Sequence, residues 1–293
     1  MASRRDVGRR SGRALATLAA LTVAAGCTAA SAGSHPASTT DSTIATAPVA
    51  TALIAPVAPP TQPPSVPPSQ VPVFTDTFDG ENRLITNEYA FNNPGSNNAV
   101  VSDSWEVTSG SMFVRDGAAW TGLIDDVSPD PQSAESTNSA VFRAFTRVGA
   151  PASSTVTLRL LPITFVNAVE ETPWDGAHVL VRVQNEQDFY AVSMVRRDGS
   201  VVIKRKVPGG PSNGGTYVTL ADVHAPLTEG DWHDVRIVTY DRDGAVVIEL
   251  WLDGANVLTA VDSGQFGPPL TEPGTVGFRA DNFEVSFDDL VVS

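Results

Sequence analysis

The chain has 293 residues, of which 33 are acidic and 19 are Lys or Arg, so its formal net charge is −14. Residues 1 to 72 contain five Arg and two Asp, which leaves 14 basic against 31 acidic side chains, a net charge of −17, in residues 73 to 293. This excess of negative charge excludes nucleic acid as a general partner, because binding to the phosphate backbone depends on clustered cations.

Residues 1 to 26 have the pattern of an export signal. Arginines at positions 4, 5, 9, 10 and 13 precede the apolar run ALATLAALTVAA, which is too short to span a membrane as a helix. The run ends in Ala24-Ala25-Gly26-Cys27, which resembles the bacterial lipobox, and the resemblance implies that Cys27 is lipidated after cleavage. We therefore expect a signal peptide over residues 1–26 and a lipid on Cys27 that anchors the chain to the outer face of the cell membrane. The alternative is an ordinary secretory signal and a secreted protein, in which Cys27, the only cysteine, has no special role.

Residues 27 to 72 predict a disordered linker. The segment is rich in Pro, Ala and Thr and ends in APVAPPTQPPSVPPSQVP, with too few large apolar side chains to form a core. Its prolines favour an extended backbone, so it would act as a semi-rigid spacer between the predicted lipid anchor and the rest of the chain.

Residues 73 to 293 predict an all-β domain. Short runs rich in Val, Ile, Phe and Thr alternate with Asp-Gly, Gly-Gly, Asn-Pro and Pro-Gly turn signals, and no segment keeps a helical period. So many short strands in one domain are typical of a β-sandwich or barrel. Trp105, Trp232 and Trp251 lie within strand patterns, and we assign them to the core. The predicted strands are VFTDTF, WEVTSG, SMFVRD, SAVFRAFT, STVTLRLLPI, AHVLVRVQ, FYAVSMVR, VVIKRKV, YVTLAD, HDVRIVTY, AVVIELWLD, ANVLTAV, GTVGFRA and FEVSFDDLVV.

The order of several motifs resembles the concanavalin A-like lectin/glucanase superfamily, including its laminin-G-like domains. These motifs are FTDTFD, WEVTSGSM, FYAVSMVRRDGSVVIK, DWHDVRI, LDGANV, GTVGFR and the final FDDLVV. The resemblance covers residues 73 to 293 and implies a two-sheet antiparallel jelly-roll sandwich. It does not choose a function, because that fold carries lectins, laminin-G-type modules, glycoside hydrolases and polysaccharide lyases.

Three consecutive strands, AHVLVRVQ, FYAVSMVR and VVIKRKV, predict a binding surface. A two-residue turn at Asp198-Gly199 would place Ser193 opposite Lys204 and Ala191 opposite Lys206, the only two lysines of the chain. Because side chains alternate between the faces of a strand, one face would collect the small residues Ala191 and Ser193 between longer polar side chains. Those polar side chains are His178, Arg182, Gln184, Lys204 and Lys206.

This polar face has the composition of a shallow ligand-binding floor. The resemblance implies that it corresponds to the concave sheet face on which sugars lie in the superfamily. Trp174 and Tyr217, in adjoining loops, could contact the apolar faces of sugar rings. Arg205 falls on the opposite, apolar face, so it would either reach water at a sheet margin or mark a bulge. The alternative for Lys204, Arg205 and Lys206 is that they are edge-strand charges that oppose aggregation.

The predicted function is that of a carbohydrate-binding module that favours acidic polysaccharides, since a basic patch within an acidic domain acts at short range. A polysaccharide lyase is the first alternative, in which His178, Arg182 and Gln184 would neutralise a uronate and move its proton. A glycoside hydrolase is less favoured, because the Glu-x-Asp-x-x-Glu pattern that the resemblance implies for β-glucanases is absent. A structural surface protein without a glycan ligand is the last alternative.

No cofactor is required by these chemistries, although a structural calcium is a weaker expectation. Asp76 and Asp79 open the domain and Asp288 lies near its end. The resemblance implies that the first and last strands are neighbours with a calcium nearby, and carboxylate oxygens are ligands that calcium prefers.

Overall fold

The structure is a computed structural model, and it describes residues 71–124, 137–138, 140–166 and 171–293. The predicted signal peptide, the lipidation site Cys27 and the linker up to residue 70 lie outside the described residues. Among the residues that are described, no helix is both long and apolar enough to cross a membrane.

Two large antiparallel sheets make up the domain, with strands numbered in chain order. The seven-stranded sheet has the spatial order β13 (Gly215–His224), β12 (Ser200–Ser212), β11 (Asp188–Arg196), β10 (Gly176–Asn185), β17 (Gly274–Asp281), β8 (Val141–Ala150) and β3 (Trp105–Ser109). The nine-stranded sheet has the order β16 (Ala255–Asp262), β15 (Ala245–Leu252), β14 (His233–Arg242), β9 (Ser154–Phe165), β18 (Phe283–Val292), β5 (Ala118–Trp120), β4 (Ser111–Arg115) and β2 (Arg83–Asn87), and β1 (Phe74–Asp76) also pairs with β18.

The predicted two-sheet antiparallel sandwich is confirmed by this topology. Two small elements complete the described part of the chain, and the sequence did not predict either. One is a parallel pair of short strands, β6 (Leu123–Ile124) and β7 (Thr137–Asn138), and the other is the single-turn helix α1 (Glu88–Asn92).

The core fills the space between the two sheets. Phe278 of β17 stacks on Phe287 of β18, with ring centroids 4.2 Å apart and planes 6° apart, so the central strands of the two sheets are in direct contact. Trp105 of β3 packs against both rings and is 1% exposed, as predicted for a core residue. The core assignment of Trp232 and Trp251 is wrong, because they lie on the outer face of the nine-stranded sheet. There the guanidinium of Arg159 covers Trp232 and that of Arg236 covers Trp251.

Arg205 points into the sandwich, as strand alternation predicted, and it does not reach water. The β12–β13 pairing shifts between Ile203 and Lys204, but the β11–β12 pairing is regular through Arg205, so the faces of β12 are unchanged. Its Nη1 donates to Asp262 Oδ2 at 2.9 Å and to the Pro268 carbonyl at 2.9 Å, and its Nη2 donates to Asp188 Oδ1 at 3.1 Å. Tyr190 donates its hydroxyl to the same carboxylate oxygen of Asp262 at 2.7 Å. Burial and this hydrogen bond raise the pKa of Tyr190. A buried charge is thereby paired across the two sheets, since Arg205 belongs to β12 and Asp262 to β16.

The turn between β11 and β12 differs from the predicted one. The Gly199 amide donates to the Arg196 carbonyl at 2.9 Å, so Arg197 and Asp198 are the central turn residues, and Gly199 follows with φ +71°. This places Ala191 opposite Lys204 and Phe189 opposite Lys206, a shift of two residues from the predicted register. Because strand side chains alternate with a period of two, the shift changes the partners but leaves the side chains of β11 and β12 on their predicted faces.

The buried ion pair generates a stability prediction. Asp262→Ala should lower the free energy of unfolding by about 3–5 kcal/mol, because it leaves the Arg205 charge buried without its closest carboxylate. Urea denaturation measures the change. The double variant Arg205→Met with Asp262→Leu should recover most of the loss, since apolar side chains of similar volume can replace a buried pair.

The matched control for this prediction is Glu106→Ala, which removes the carboxylate of a surface pair with Arg147. Both side chains of that pair are exposed by about a third, so the change should be within about 1 kcal/mol of zero. Equal effects of Asp262→Ala and Glu106→Ala would show that the buried pair contributes no more to the free energy of unfolding than the surface pair does.

Candidate functional site

A pocket of about 390 Å³ lies on the outer face of the seven-stranded sheet, centred on β10, β11 and β12. We call it the β10–β12 pocket. Five of the predicted site residues line it together: His178, Ser193, Lys204, Trp174 and Tyr217. The remaining lining residues are Leu180, Ala191, Ser212, Asn213, Arg279 and Asp281.

The floor of the pocket is apolar because the central strand contributes small or aliphatic side chains on this face. Leu180 and Ala191 form a buried cluster with Phe145, Val183 and Phe189, separate from the main core. Val183 thus belongs to this outer-face cluster and not to the core between the sheets. An apolar floor with polar groups at its margin is the usual composition of a small-ligand site.

His178 is the hub of a polar network in the pocket wall. Its Nδ1 lies 2.7 Å from Ser193 Oγ, and its Nε2 lies 3.3 Å from Asp281 Oδ2. Asp281 in turn accepts two hydrogen bonds from Arg279, at 2.7 and 2.8 Å. Burial lowers the pKa of His178 despite the neighbouring carboxylate, so the ring is neutral at physiological pH.

Arg279 and Asp281 hold each other in their charged forms. The bidentate contact with Arg279 and the hydrogen bond from His178 outweigh burial and lower the pKa of Asp281, while the paired carboxylate raises the pKa of Arg279. The Nη1 of Arg279 also donates to the hydroxyl of Tyr217 at 3.4 Å. The carboxylate of Asp281 is therefore committed to its neighbours and is not available as a free acid or base.

Lys204 stands apart from this network. Its side chain is half-buried in the pocket, and within the described ranges its ammonium has no hydrogen bond or ion pair. The centroid of the Tyr217 ring lies 6.0 Å from its Nζ. Burial and the positive charges of Arg196 and Arg279 lower its pKa. The pocket thus contains a lysine that its own surroundings leave unpaired.

Lys206 shares a face with Lys204, as predicted, but it does not line the pocket. Its side chain is 1% exposed and its Nζ donates to the Glu186 carbonyl at 2.7 Å. The rings of Phe189 and Tyr217 lie 5.4 and 5.3 Å from the ammonium. Gly215 permits this position, because a Cβ there would lie 2.5 Å from Lys206 Cε. The prediction that Lys206 contacts ligand is therefore wrong: Lys206 supports the wall from beneath.

Arg182 and Gln184 are also outside the pocket, contrary to prediction. The pairing of β10 with β11 shifts between Val181 and Asn185, and Arg182 there adopts φ +51°. This irregularity turns Arg182 inward, where its Nη1 donates to Asp241 Oδ1 and to the Leu270 carbonyl, both at 2.6 Å. Gln184 is exposed at the strand end and donates to the Pro273 carbonyl at 2.9 Å.

The two aromatic residues of the pocket come from opposite ends of the strands. Trp174 precedes β10 and is 55% exposed, so one face of an indole is open to a ligand. Tyr217 belongs to β13, where the predicted strand YVTLAD begins, and lies opposite Lys206 in the β12–β13 pairing. Burial raises its pKa, so the hydroxyl stays protonated.

The structure does not support the predicted calcium site. β1 and β18 are neighbours as expected, but the described ranges contain no group of three or more side chains placed to hold a metal ion. Asp76 already accepts hydrogen bonds from the Trp105 indole at 2.8 Å and from the Phe78 amide at 3.0 Å. Asp79 accepts from Thr77, and Asp288 accepts from the Asp289 amide. The three carboxylates satisfy local backbone and side-chain donors instead of converging on one point.

Arg279 and Asp281 are the site residues that the sequence prediction missed. They lie in GTVGFRAD, where alternation with Phe278 and Ala280 already indicates that both share a face away from the core. What the sequence does not show is that β17 pairs with β10, which places Arg279 opposite His178.

A larger groove of about 500 Å³ lies on the outer face of the nine-stranded sheet. Its charged lining residues balance, with Arg159 and Arg236 against Asp234 and Asp289. It therefore presents no excess of either charge, and we place the candidate site in the β10–β12 pocket.

No protein-family model matches the chain, and no curated protein matches it. Among solved structures, the chain is similar to a carbohydrate-binding module of Bacillus subtilis at 10% identity and a TM-score of 0.44, over 67% of this chain and 99% of the module. It is similar to an endo-1,3-β-glucanase of Streptomyces sioyaensis at 13% identity and a TM-score of 0.48, over 79% of this chain and 98% of the enzyme. A galectin of Caenorhabditis elegans shares 18% identity at a TM-score of 0.33, over 50% of this chain and 89% of the galectin. Such weak likenesses carry no functional conclusion.

The buried amine of Lys206 generates a pH prediction. Burial and the positive charges of Arg279 and Arg143 lower its pKa from 10.5 to about 8. Between these two pH values the unfolded chain binds a proton that the folded chain has released, so stability should rise as the pH increases from 8 to 10.5. Lys206→Met should reduce this rise and leave only the part that comes from Lys204, whose pKa is also lowered, as measured by urea denaturation across that range.

The control for the pH prediction is Arg242→Met, which removes an exposed cation from the other sheet and should leave the slope unchanged. A slope that is the same in the wild type and in Lys206→Met would show that the amine titrates normally in the folded protein.

Proposed function

We propose that the chain is a glycan-binding protein and that the β10–β12 pocket binds an acidic saccharide. The observation that carries the proposal is the half-buried ammonium of Lys204, which lacks a hydrogen-bond or ion-pair partner among the described residues. A cation held in a pocket without a counter-ion is stabilised by a ligand that supplies one, and a uronate carboxylate has the required charge and size.

The rest of the pocket suits a sugar ring. The aliphatic floor of Leu180 and Ala191 can contact the apolar face of a pyranose, and the open indole of Trp174 can stack on its edge or face. Ser212 and Asn213 supply polar groups at the rim for hydroxyl groups. A volume of about 390 Å³ lies within the range of small-ligand pockets, roughly 300–1,000 Å³.

The hydrogen bonds of His178 argue for ligand binding without catalytic turnover. Both of its ring nitrogens are engaged, one with Ser193 and one with Asp281, so neither nitrogen faces a ligand to take the α proton of a uronate directly, as the lyase alternative requires. Asp281 is the one carboxylate that lines the pocket, and it is held by Arg279, whereas glycoside hydrolysis uses a pair of carboxylates. Two of the three residues that a lyase would use, Arg182 and Gln184, lie elsewhere.

The proposed setting is the outer surface of a cell membrane. It rests on the sequence of residues 1 to 27 and on the Pro-rich segment that follows, which together have the pattern of a lipid-anchored exported protein. A tethered domain with a glycan pocket would hold the cell to a polysaccharide, or a polysaccharide to the cell.

The binding proposal is tested first by retention of the full chain on alginate, pectate and a neutral glucan. Stronger retention on the two acidic polymers is expected, and salt should reduce it because screening weakens the Lys204–carboxylate attraction. Equal retention on all three polymers, or on none, would contradict the proposal.

The residue-level prediction concerns Lys204→Met. It should weaken binding of an oligouronate from the retained polymer by roughly 10- to 150-fold, since a hydrogen bond to a charged group contributes about 1.5–3 kcal/mol. Titration calorimetry measures the affinity. The methyl ester of the same oligosaccharide is the matched ligand, and its affinity should be the same for the wild type and for Lys204→Met.

Two further variants separate the contributions. Trp174→Ala should weaken binding of both the acid and its ester, because a stacking surface does not depend on charge. Arg242→Met removes one positive charge at a site remote from the pocket and should have no effect. An equal loss in Lys204→Met and Arg242→Met would attribute the effect to net charge instead of to a local contact.

The anchor is tested separately with Cys27→Ser. In a bacterial host that processes lipoproteins, the wild type should incorporate radiolabelled palmitate and sediment with membranes, and the variant should do neither. A wild-type chain that stays unlabelled would indicate ordinary secretion, without bearing on the glycan pocket.

A further inference from the structure

We propose that Lys204 is a covalent carbonyl-binding residue, which forms an imine with the aldehyde or keto group of a small oxo acid or of an acidic sugar in its open-chain form. This goes beyond glycan binding, because the reaction needs only the amine, the pocket and a carbonyl carbon. Of the two lysines of the chain, only Lys204 would form the imine.

The first support is the contrast between the two lysines. They lie on the same face of β12, yet the Lys206 amine is buried and donates to the Glu186 carbonyl, whereas the Lys204 amine faces the pocket with no such partner within the described ranges. An amine that donates to a carbonyl beneath a covering wall is not accessible to an electrophile. Lys204 is therefore the one lysine placed to react.

The second support is the charge that faces Lys204 from the neighbouring strands. Arg196 of β11, the adjacent strand, and Arg279 of β17, which lies beyond β11 and β10 in the same sheet, are cations. Each forms a bidentate pair with a carboxylate, Asp198 and Asp281 respectively. These carboxylates thus compensate the arginines, and His178 nearby is neutral. With burial added, the pKa of Lys204 is lowered, which increases the fraction of nucleophilic neutral amine. Desolvation and an adjacent cation are the two features that activate imine-forming lysines.

The chemistry balances without an oxidant or a reductant. The neutral amine of Lys204 adds to the carbonyl carbon, a C–N bond forms, and a proton moves from nitrogen to oxygen to give a carbinolamine. The C–O bond then breaks and water leaves, so that the products are an imine and one water molecule. The apolar floor of Leu180 and Ala191 favours the condensed form by limiting access of water.

Arg279 sets the class of ligand. Its Nη1 donates one hydrogen to the Tyr217 hydroxyl at an N–O distance of 3.4 Å, and Arg279 lines the pocket. The second Nη1 hydrogen can therefore pair with a ligand carboxylate while Lys204 holds the carbonyl carbon. A ligand with both groups, such as an oxo acid, uses both cations. A neutral aldehyde uses one.

The experiment incubates the purified full chain with glyoxylate and sodium cyanoborohydride, which reduces an imine to a stable secondary amine, and maps the product by peptide mass spectrometry. We expect a carboxymethyl group on Lys204, no adduct on Lys206, and slower labelling of Lys204 by the neutral glycolaldehyde. Equal labelling of both lysines, or labelling confined to the N-terminal amine, would overturn the proposal.

Two variants keep the result interpretable. Lys204→Arg retains the charge but cannot form an imine, and Lys204→Met removes both, so neither should give an adduct in the pocket while each retains the circular dichroism of the wild type. An adduct that appears elsewhere in the β10–β12 pocket of these variants would overturn the assignment to Lys204. Oligouronate affinity is measured on the same samples: binding without an adduct overturns only the covalent inference, and an adduct without binding overturns only the glycan proposal.

Discussion

The inward position of Arg205 is the constraint on which the pocket depends. A strand cannot place consecutive side chains on one face, so an arginine fixed inside the sandwich forces Lys204 and Lys206 to the outside. What fixes it is the carboxylate of Asp262 on the opposite sheet, which also receives the hydroxyl of Tyr190. Register, sheet-to-sheet contact and the direction of both lysines thus follow from one buried cation and its partners.

The same arrangement occurs a second time at the edge of the sandwich. Arg182 of β10 is turned inward by a local irregularity and meets Asp241 of β14. Two arginines of the seven-stranded sheet therefore reach carboxylates of the nine-stranded sheet. In both pairs the arginine is buried, although the side chain of Asp241 is 41% exposed. Such pairs contribute little net stability compared with apolar packing, but they penalise any register that separates the charges. They therefore favour one alignment of the two sheets, which are otherwise held together by non-directional apolar contacts.

The strands and most of their faces could be predicted from the sequence because alternation survives errors in register. The turn after β11 was placed one residue too late, yet Lys204 and Ser193 still fell on the correct face, since the pairing moved by two residues. Arg182 could not be predicted, because a left-handed residue inside a Val-rich strand leaves no mark in its composition. The partnership of Arg279 with His178 could not be predicted either, as it depends on which distant strand joins β10.

The cationic side chains in and beside the pocket are therefore of two kinds. Arg279 and Arg196 are each matched to a carboxylate of the chain, whereas Lys204 has no such partner among the described residues. Composition alone indicates only an acidic chain with two lysines close together. The distinction between a compensated and an uncompensated positive charge requires the sheet order, and the proposed preference of this strongly negative domain for acidic molecules rests on it.

The wall of the pocket is held in place by contacts of Glu186, which do not involve the residues of the floor. Its carbonyl holds Lys206, and its carboxylate meets Arg143 at 2.8 Å and Asn213 at 3.3 Å, so the tip of the β12–β13 hairpin is tied to the β10–β11 turn. The floor, by contrast, is built from ladder-paired strands that tolerate little change. Related chains could therefore lengthen, shorten or recompose this hairpin tip to suit different ligands while the scaffold beneath stays the same, which is how antibody loops diversify on a conserved framework.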